Sequence, residues 1–565
     1  PLEGDHVVEA SAQPDPNTGQ MQVSLNMDQT GAKIWAKMTK EAFDGGGREI
    51  AIVLDDEVVS APGVRNGAIT GGRSSISGQF STQEANDLAN ILEVGKLPAR
   101  PEIVQSTFVG PSLGAENIRR SIISLVVGFA LVLIFMMLYY GGGGIVSIVA
   151  LFMNLFFIFG ALASIGTVLT LPGIAGIILT IGMAVDANVI IYERIREELR
   201  EGKNLKLAVN DGFQNSYSAI IDANVTTILT AIILAYFGLG PIKGFAVILI
   251  IGVLSSIFTA VLVGRLIVEW WLAKDKGLNF STGMSEGAFA NLNINWLGKR
   301  KMAYGISGTI IILGIISMFA RGFDLGVDFK GGYSYNIEFA ENANIDTDKL
   351  RSALTTSFGS APTVKAVDVA NTFNVITDYL VDDNAKDAEE KVVAKLHEGV
   401  NAAVGGGVDA AAFAATDGTG THITSSSKVG PIIADDIRNS AFYASIFALL
   451  AIFLYLFIRF TKPAYSVGAV AALSHDVLVV LAIFSLGHGF LPFSLEVDQA
   501  FIAAVLTVIG YSINDTVVVF DRIREFMNTY TNRTKEEVIN MAVNSTVSRT
   551  IITSLTTFLV VLILF

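Results

Sequence analysis

Apolar residues gather in runs long enough to cross a bilayer, and polar residues gather between them in two blocks. A membrane-spanning helix needs about 20 consecutive, mostly apolar residues. Ten stretches fit: residues 117–140, 145–167, 172–195, 216–238, 242–272, 301–320, 438–460, 463–488, 498–521 and 545–565. The pattern divides the chain into a soluble domain (1–115), a five-helix bundle (116–273), a linker (274–300), a further span (301–320), a second soluble domain (321–437) and a four-helix bundle (438–565).

Both soluble blocks alternate strand and helix periodicity. In the first, Met21 to Met27 alternates, a helix follows from Gln29 to Ala42, and Ile50 to Leu54 and Val58-Val59 flank a turn at Asp55-Asp56. Ser81 and Glu84 form a capping box ahead of Leu88, Ile91 and Leu92, and Glu102 to Val109 is the last strand. The second block repeats the order with Ser334–Phe339, Thr347–Leu354, Thr363–Val367, Thr372–Thr377, Ala385–Leu396 and His422–Val429. A βαββαβ, ferredoxin-like α+β domain suits each. Residues 401–421 are rich in Gly and Ala and are predicted to form a loose insertion.

Charge orients the spans. The loops after the third, fifth and ninth spans hold Arg194, Arg196, Arg200, Lys203 and Lys206, then Lys274, Lys276, Lys299 and Arg300, then Arg522, Arg524, Arg533 and Lys535. By the positive-inside rule these loops are cytoplasmic, and parity places both soluble domains outside. Arg119, Arg120 and Arg438 oppose the rule and are outnumbered. Charged residues make up only 16% of the chain, against about 25% in soluble domains. The net charge of −13 argues against a nucleic-acid partner. No cysteine is present, which removes thiolate chemistry, and the five histidines show no metal-ligand spacing. No Ser/His/Asp order or phosphate-cradling Gly loop points to an enzyme, and no cofactor is implied. The polar opening at Pro1 and the apolar run at Phe565 read as a chain trimmed at each end.

The chain is duplicated. Each soluble domain ends in Val-Gly-Pro, at 109–111 and 429–431, just before a span. The stretch from Ile181 to Glu197 matches Ile509 to Glu525 without a gap, at an offset of 328 residues, and each following span carries Thr-Thr, at 226–227 and 556–557. Two halves of the same topology are related by an axis along the membrane normal, and parallel repeats of this kind place the working site where the halves meet.

Charged side chains stand out inside these spans. Asp186 lies about 14 residues, or ~21 Å, into its helix, and Asp515 is at nearly the same depth in the matching one. Arg549 is the arginine with the clearest claim to the interior. A carboxylate at such depth costs at least ~2.5 kcal/mol, so it takes a partner or a proton. Burial favours the neutral acid and a nearby guanidinium favours the charged one. A carboxyl balanced between the two exchanges protons. Asn188, Asp222, Asn224, His475, Asp476, Asn514, Thr516 and Thr556 are supporting intramembrane polar groups. Blander readings stand beside these: a static Asp515–Arg549 ion pair, a permanently protonated Asp186, structural hydrogen bonding by His475-Asp476, glue for Asp222 and Asn224, helix contact for the Thr-Thr pairs, a tight turn for glycines 141–144, and a solvated helix end for Glu193 to Glu197.

Several stretches together carry a family resemblance: Leu54-Asp55-Asp56-Glu57-Val58-Val59-Ser60-Ala61-Pro62, Val109-Gly110-Pro111-Ser112-Leu113-Gly114, Asp186-Ala187-Asn188-Val189 and Asp222-Ala223-Asn224 in the first half; Gly326-Val327-Asp328-Phe329-Lys330-Gly331-Gly332, Ser474-His475-Asp476-Val477, Ile509 to Thr516 and Ser548-Arg549-Thr550 in the second. The chain resembles the fused SecD/SecF protein-export membrane proteins of bacteria, a branch of the RND superfamily. The resemblance implies a polytopic, RND-like membrane protein of the bacterial cytoplasmic (inner) membrane. It implies Sec-dependent export assisted from the periplasmic face and driven by the proton-motive force, with Asp186, Asp515 and Arg549 as the proton pathway. The implied partners are the Sec translocon channel, the unfolded preprotein, the lipid membrane and protons, with a membrane insertase or a small accessory subunit as further candidates. It also implies that the first domain is a membrane-proximal base, without the family's distal head, first span and last span. An RND-type exporter of a small hydrophobic or lipid substrate and a non-transporting scaffold are the alternatives.

Overall fold

The computed structural model describes residues 2–15, 19–54, 57–65, 67–94, 103–166, 169–289, 292–340, 343, 345–367, 371–383, 385, 387–415, 420–460, 462–491 and 494–564. The chain falls into two compact units, Pro1–Ile103 and Val104–Phe565.

In the first unit β1 (Val7–Pro14) and β2 (Met21–Met27) run antiparallel, and β2 pairs in turn with β5 (Arg73–Phe80). Helix α1 (Gln29–Asp44) follows β2, its start fixed by Asp28, whose carboxylate accepts from Gly31 N at 2.6 Å. A short hairpin of β3 (Ile52–Leu54) and β4 (Glu57–Ser60) stands apart from this sheet. Its turn at Asp55-Asp56 lies outside the described residues. Helix α2 (Thr82–Val94) begins at the predicted capping box: Ser81 N donates to Glu84 Oε2 at 2.8 Å and Glu84 N to Ser81 Oγ at 3.2 Å. Val23, Leu25 and Ile76 of the sheet are buried with Ala85 and Leu88 of α2. The expected βαββαβ order therefore does not hold here. Strands β1 and β5 are rich in Ser, Gln, Gly and Ala, so they show no clear apolar alternation, and the last predicted strand belongs elsewhere.

That strand, β6 (Gln105–Val109), opens the second unit. Among the described residues ten helices in this unit are long and apolar enough to cross a membrane, matching the ten predicted spans. They are α3 (Pro111–Tyr140), α4 (Gly142–Ile165), α5 (Leu171–Arg200), α6 (Leu205–Phe237), the composite α7 (Pro241–Ile257) and α8 (Gly264–Leu272) joined by a π-turn at Phe258–Val263, α9 (Arg300–Ala320) and four more after the second soluble domain. Gly141, at φ +56°, makes the predicted tight turn and glycines 142–144 begin α4, where a Cβ on Gly144 would clash with Met136 O.

After α9 a single turn, α10 (Val327–Lys330), leads into β7 (Gly332–Glu338), α11 (Thr347–Phe358), β8 (Thr363–Ala366), β9 (Thr372–Thr377), α12 (Ala388–Val404), α13 (Ala410–Ala414) and β10 (His422–Val429). The antiparallel sheet order is β6-β10-β7-β9-β8. Its last four strands with α11 and α12 are the predicted βαββαβ domain, and β6 covers the edge that β10 would otherwise expose. Leu350, Leu354, Val392, Leu396 and Val400 close over Ile337 and Val375 in its core. The expected loose insertion is partly ordered. Residues 401–404 extend α12, Asp409 caps α13 through Ala412 N at 2.8 Å, and Phe413 is fully buried. Residues 416–419 lie outside the described ones.

The domain is fastened to the membrane helices at its base. Lys365 Nζ contacts Glu496 Oε2 at 2.6 Å and Asp324 Oδ2 at 2.9 Å, and Gly326 N donates to Val497 O at 2.9 Å. Gly332 has φ +125°, and a Cβ there would meet Thr377 O at 2.5 Å, so only glycine lets β7 start this close to β9.

Helices α14 (Pro431–Arg459), α15 (Pro463–Gly487), α16 (Gln499–Thr529) and α17 (Lys535–Leu564) complete the unit. Helix α5 is central, with 78% of its most apolar window buried, whereas α9 buries 11% and sits at the rim. The halves meet reciprocally: α5 packs on α17, and its counterpart α16 packs on α6. Gly182 of α5 faces Thr557 of α17, and the matching Gly510 of α16 faces Thr227 and Thr230 of α6. Thr227 Oγ1 also donates to Gly510 O at 3.3 Å. The Thr-Thr pairs thus serve as helix contacts, where small residues let backbones approach.

The linker between the halves binds both of them. Gly143 N donates to Asn279 O at 2.9 Å in the first half, and Leu278 and Phe280 are buried there. Further on, Asn544 of α17 accepts from Ile294 N at 3.0 Å and Trp296 Nε1 at 3.1 Å.

Two predictions follow from these contacts. A Cβ on Gly510 would lie 2.5 Å from Thr230 Oγ1, so Gly510→Val forces the seam open and costs about 1–3 kcal/mol. A thermal melt of the purified protein should fall by several degrees, and an unchanged melt would show that the seam does not depend on this contact. Asn544→Ala frees the second end of the linker and should speed its cleavage by added protease. An unaltered cleavage rate would mean that Asn544 does not hold it.

Candidate functional site

Asp186 sits on α5, Asp515 on α16 and Arg549 on α17. One turn outward from Asp186 on the same helix face lies Gly182, so the helix contact that closes the seam also sets the depth of the acid. Asp186 and Arg549 are buried and Asp515 is partly buried. The three interact electrostatically with one another, Asp186 with both partners across the seam. Among the described residues no ion pair closer than 4.0 Å joins them, so the static Asp515–Arg549 contact pair is not formed. Neither Asp186 carboxylate oxygen nor Arg549 Nε has a partner within full hydrogen-bond geometry, although the Tyr511 hydroxyl is close enough to interact with Asp186. Groups left unpaired in this way carry a large burial cost, and a proton moving between them changes that cost directly.

Tyr511, one turn before Asp515, completes the group. Its hydroxyl contacts Thr557 Oγ1 at 2.9 Å and donates to Thr553 O at 3.2 Å, and it interacts with Asp186. A small cavity of about 20 Å³, room for one water, is lined by Asp186, Asn224, Tyr511 and Asn514 among others. The repeat offset aligns Asp186 with Asn514, which places Asp515 one residue further along its helix.

The supporting residues separate into groups. Asn514 and Asn224 line the cavity with Asp186. Asn224, Asn188, Thr516 and Thr556 bond back to their own helices, for example Asn224 Nδ2 to Ile220 O at 2.7 Å and Thr556 Oγ1 to Thr553 O at 2.9 Å. His475 and Asp476 are not brought to the triad. His475 bridges Asp476 Oδ1 and Ser307 Oγ of α9, both at 2.9 Å, and Asp476 accepts from Ser512. Asp222 is also elsewhere. It receives Arg459 Nε at 2.7–2.8 Å and Tyr455 OH at 2.7 Å, a cross-half ion pair between α6 and α14. The sequence reading missed Arg459 because it closes its span and looks like an interfacial anchor. Tyr511 lay in the repeat and could have been found as a hydroxyl one turn from an acid.

The Glu193–Glu197 stretch makes the expected i,i+3 and i,i+4 pairs, Arg194 with Glu197 and with Glu198, both at 3.1 Å, and it also reaches across the seam. Arg196 is buried against Glu193, Arg194 reaches Glu525 of the other half at 3.0 Å, and Arg522 pairs with Glu197. Ser548 Oγ, next to Arg549, donates to Glu193 Oε2 at 2.9 Å. The polar network therefore crosses the seam again below the triad. No group of residues able to hold a metal ion occurs among the described residues.

Comparison with known proteins places this geometry. Residues 93–274 and 409–565 match the family model "Protein export membrane protein SecD/SecF, C-terminal", and residues 316–343 match "SecD/SecF GG Motif". Residues 1–99 match "SecDF, P1 head subdomain", so the first unit corresponds to a head, where the sequence reading expected a base alone. The chain is 31% identical over 560 residues to the protein translocase subunit SecDF of Brucella abortus, covering 99% of this chain and 70% of that one. It is 51% identical over 266 residues to the protein translocase subunit SecD of Desulfurispirillum indicum, covering 47% of this chain and 51% of that one. A crystal structure of SecDF from Thermus thermophilus, described as a translocon-associated membrane protein, is similar at a TM-score of 0.76 and 33% identity, covering 99% of this chain and 72% of that one. With its duplicated membrane helices, its glycine-threonine seam and these matches along nearly its whole length, the chain belongs to the SecD/SecF family of protein translocase subunits.

Proposed function

We propose that the chain acts as an auxiliary subunit of the Sec translocase, a membrane motor that uses the proton-motive force to assist preprotein movement from the periplasmic side of the bacterial inner membrane. The observation that carries this reading is the set of buried Asp186 and Arg549 with partly buried Asp515, which crosses the seam between halves without a contact ion pair. Each charge through the field is worth ~2.3 kcal/mol per 100 mV. Protonation alters the attraction between α5, α16 and α17, and a change of packing there moves the rigid second domain, which Lys365, Glu496 and Gly326 hold to the membrane helices. The Sec channel and the unfolded preprotein are the proposed partners, with an insertase or small accessory subunit as a further one. The positive-inside pattern supports periplasmic placement of both soluble domains. The alternative of a small-substrate exporter gains no support from the apolar pocket between α6, α14 and α16, which at about 30 Å³ has no room for a hydrophobic molecule.

The test is proton flux into vesicles carrying the full-length protein. Asp186→Asn, Asp515→Asn and Arg549→Met should each reduce flux to background and stall preprotein export while the protein remains inserted. Wild-type flux in Asp515→Asn would falsify the coupling mechanism.

A further inference from the structure

A second, larger cavity lies below the triad. It encloses about 410 Å³ and is lined by polar side chains of both halves, among them Glu193, Glu197, Ser216, Arg522, Ser548 and Arg549. By the charge pattern of the loops it is on the cytoplasmic side. The small cavity beside Asp186 adjoins it. Among the described residues Ile190 lines both. Asp186, Ile190, Glu193 and Glu197 follow one another at i, i+4, i+7 and i+11, within an arc of about 60° on one face of α5. Ile190 is the apolar member of that row and is buried. Its counterpart under the repeat offset, Val518 of α16, also lines the larger cavity and is buried.

We propose that the larger cavity is a cytoplasmic aqueous vestibule for protons and that Ile190, with Val518, is the apolar gate between it and Asp186. Water is held where several polar groups receive it, and an apolar constriction excludes it. A chain of water reaches Arg549 and Glu193 from the cytoplasm and stops at Ile190, about 6 Å short of Asp186 along the helix. A proton passes when α5 shifts against its neighbours and the isoleucine swings aside, so flow is tied to a change in packing. Without the gate the vestibule would leak protons without work. This inference rests on the proton-coupled reading above.

Thiol labelling tests it, and this stretch of chain carries no cysteine of its own. In inverted vesicles of the full-length protein, with any other cysteine replaced, a membrane-impermeant thiol reagent should modify Ser545→Cys in the vestibule readily. Ala187→Cys, beside Asp186, should react at least about tenfold more slowly. Adding Ile190→Ala should bring Ala187→Cys close to the Ser545→Cys rate, whereas Ile190→Val should leave it protected. Equal labelling of both positions with Ile190 in place removes the gate, and a protected Ser545→Cys removes the vestibule. A persistently protected Ala187→Cys in the Ile190→Ala background also overturns the proposal. Labelling is independent of proton coupling, so loss of the motor reading through Asp515→Asn flux would be seen separately.

Discussion

Two glycine-threonine contacts hold the membrane part of this protein together and decide where its charges lie. Gly182 against Thr557 and Gly510 against Thr227 and Thr230 bring α5 to α17 and α16 to α6 with almost nothing between the backbones. No hydrophobic drive favours helix contact in lipid, so such association depends on close packing. The same four helices carry Asp186, Asp515, Arg549 and Tyr511. Close approach brings these groups within electrostatic reach of one another across the seam.

Around this layer the polar groups are arranged in tiers. On the side of the second soluble domain, Lys365, Asp324 and Glu496 tie that domain to the loop between α15 and α16. On the opposite side, Arg194–Glu525 and Arg522–Glu197 join the halves again, and Asp222–Arg459 joins them at a third place. The Asp222–Arg459 pair, whose carboxylate is buried, resists change most, because breaking it strands that charge. In the middle tier the Asp186 carboxylate and Arg549 Nε are left without hydrogen bonds, so the energy there is sensitive to the arrival of a proton.

The linker gives the fused chain a property of its own. Its start is anchored to α3 and α4 and its end to α17, so the ends of the two halves opposite the second soluble domain are strapped together. Relative movement of the halves is thereby limited at one face.

Much was legible in the sequence alone. Ten spans, the duplication, the second α+β domain and the depth of Asp186 and Asp515 all follow from apolar run length, period and offset, because lipid imposes a simple rule on composition. The capping box at Ser81 and the turn at glycines 141–144 follow from local chemistry. The tertiary structure alone decided what lies across space. Strand β6 left the first domain for the sheet of the second because an edge strand takes whichever partner packing presents. Asp222 found Arg459, His475 turned to α9, and Glu193 reached Ser548, since distances between residues hundreds apart depend on how helices cross. Sequence determined which groups are buried in the membrane; helix crossing decided which of them meet, because pairing needs ångström-scale proximity that no one-dimensional pattern encodes.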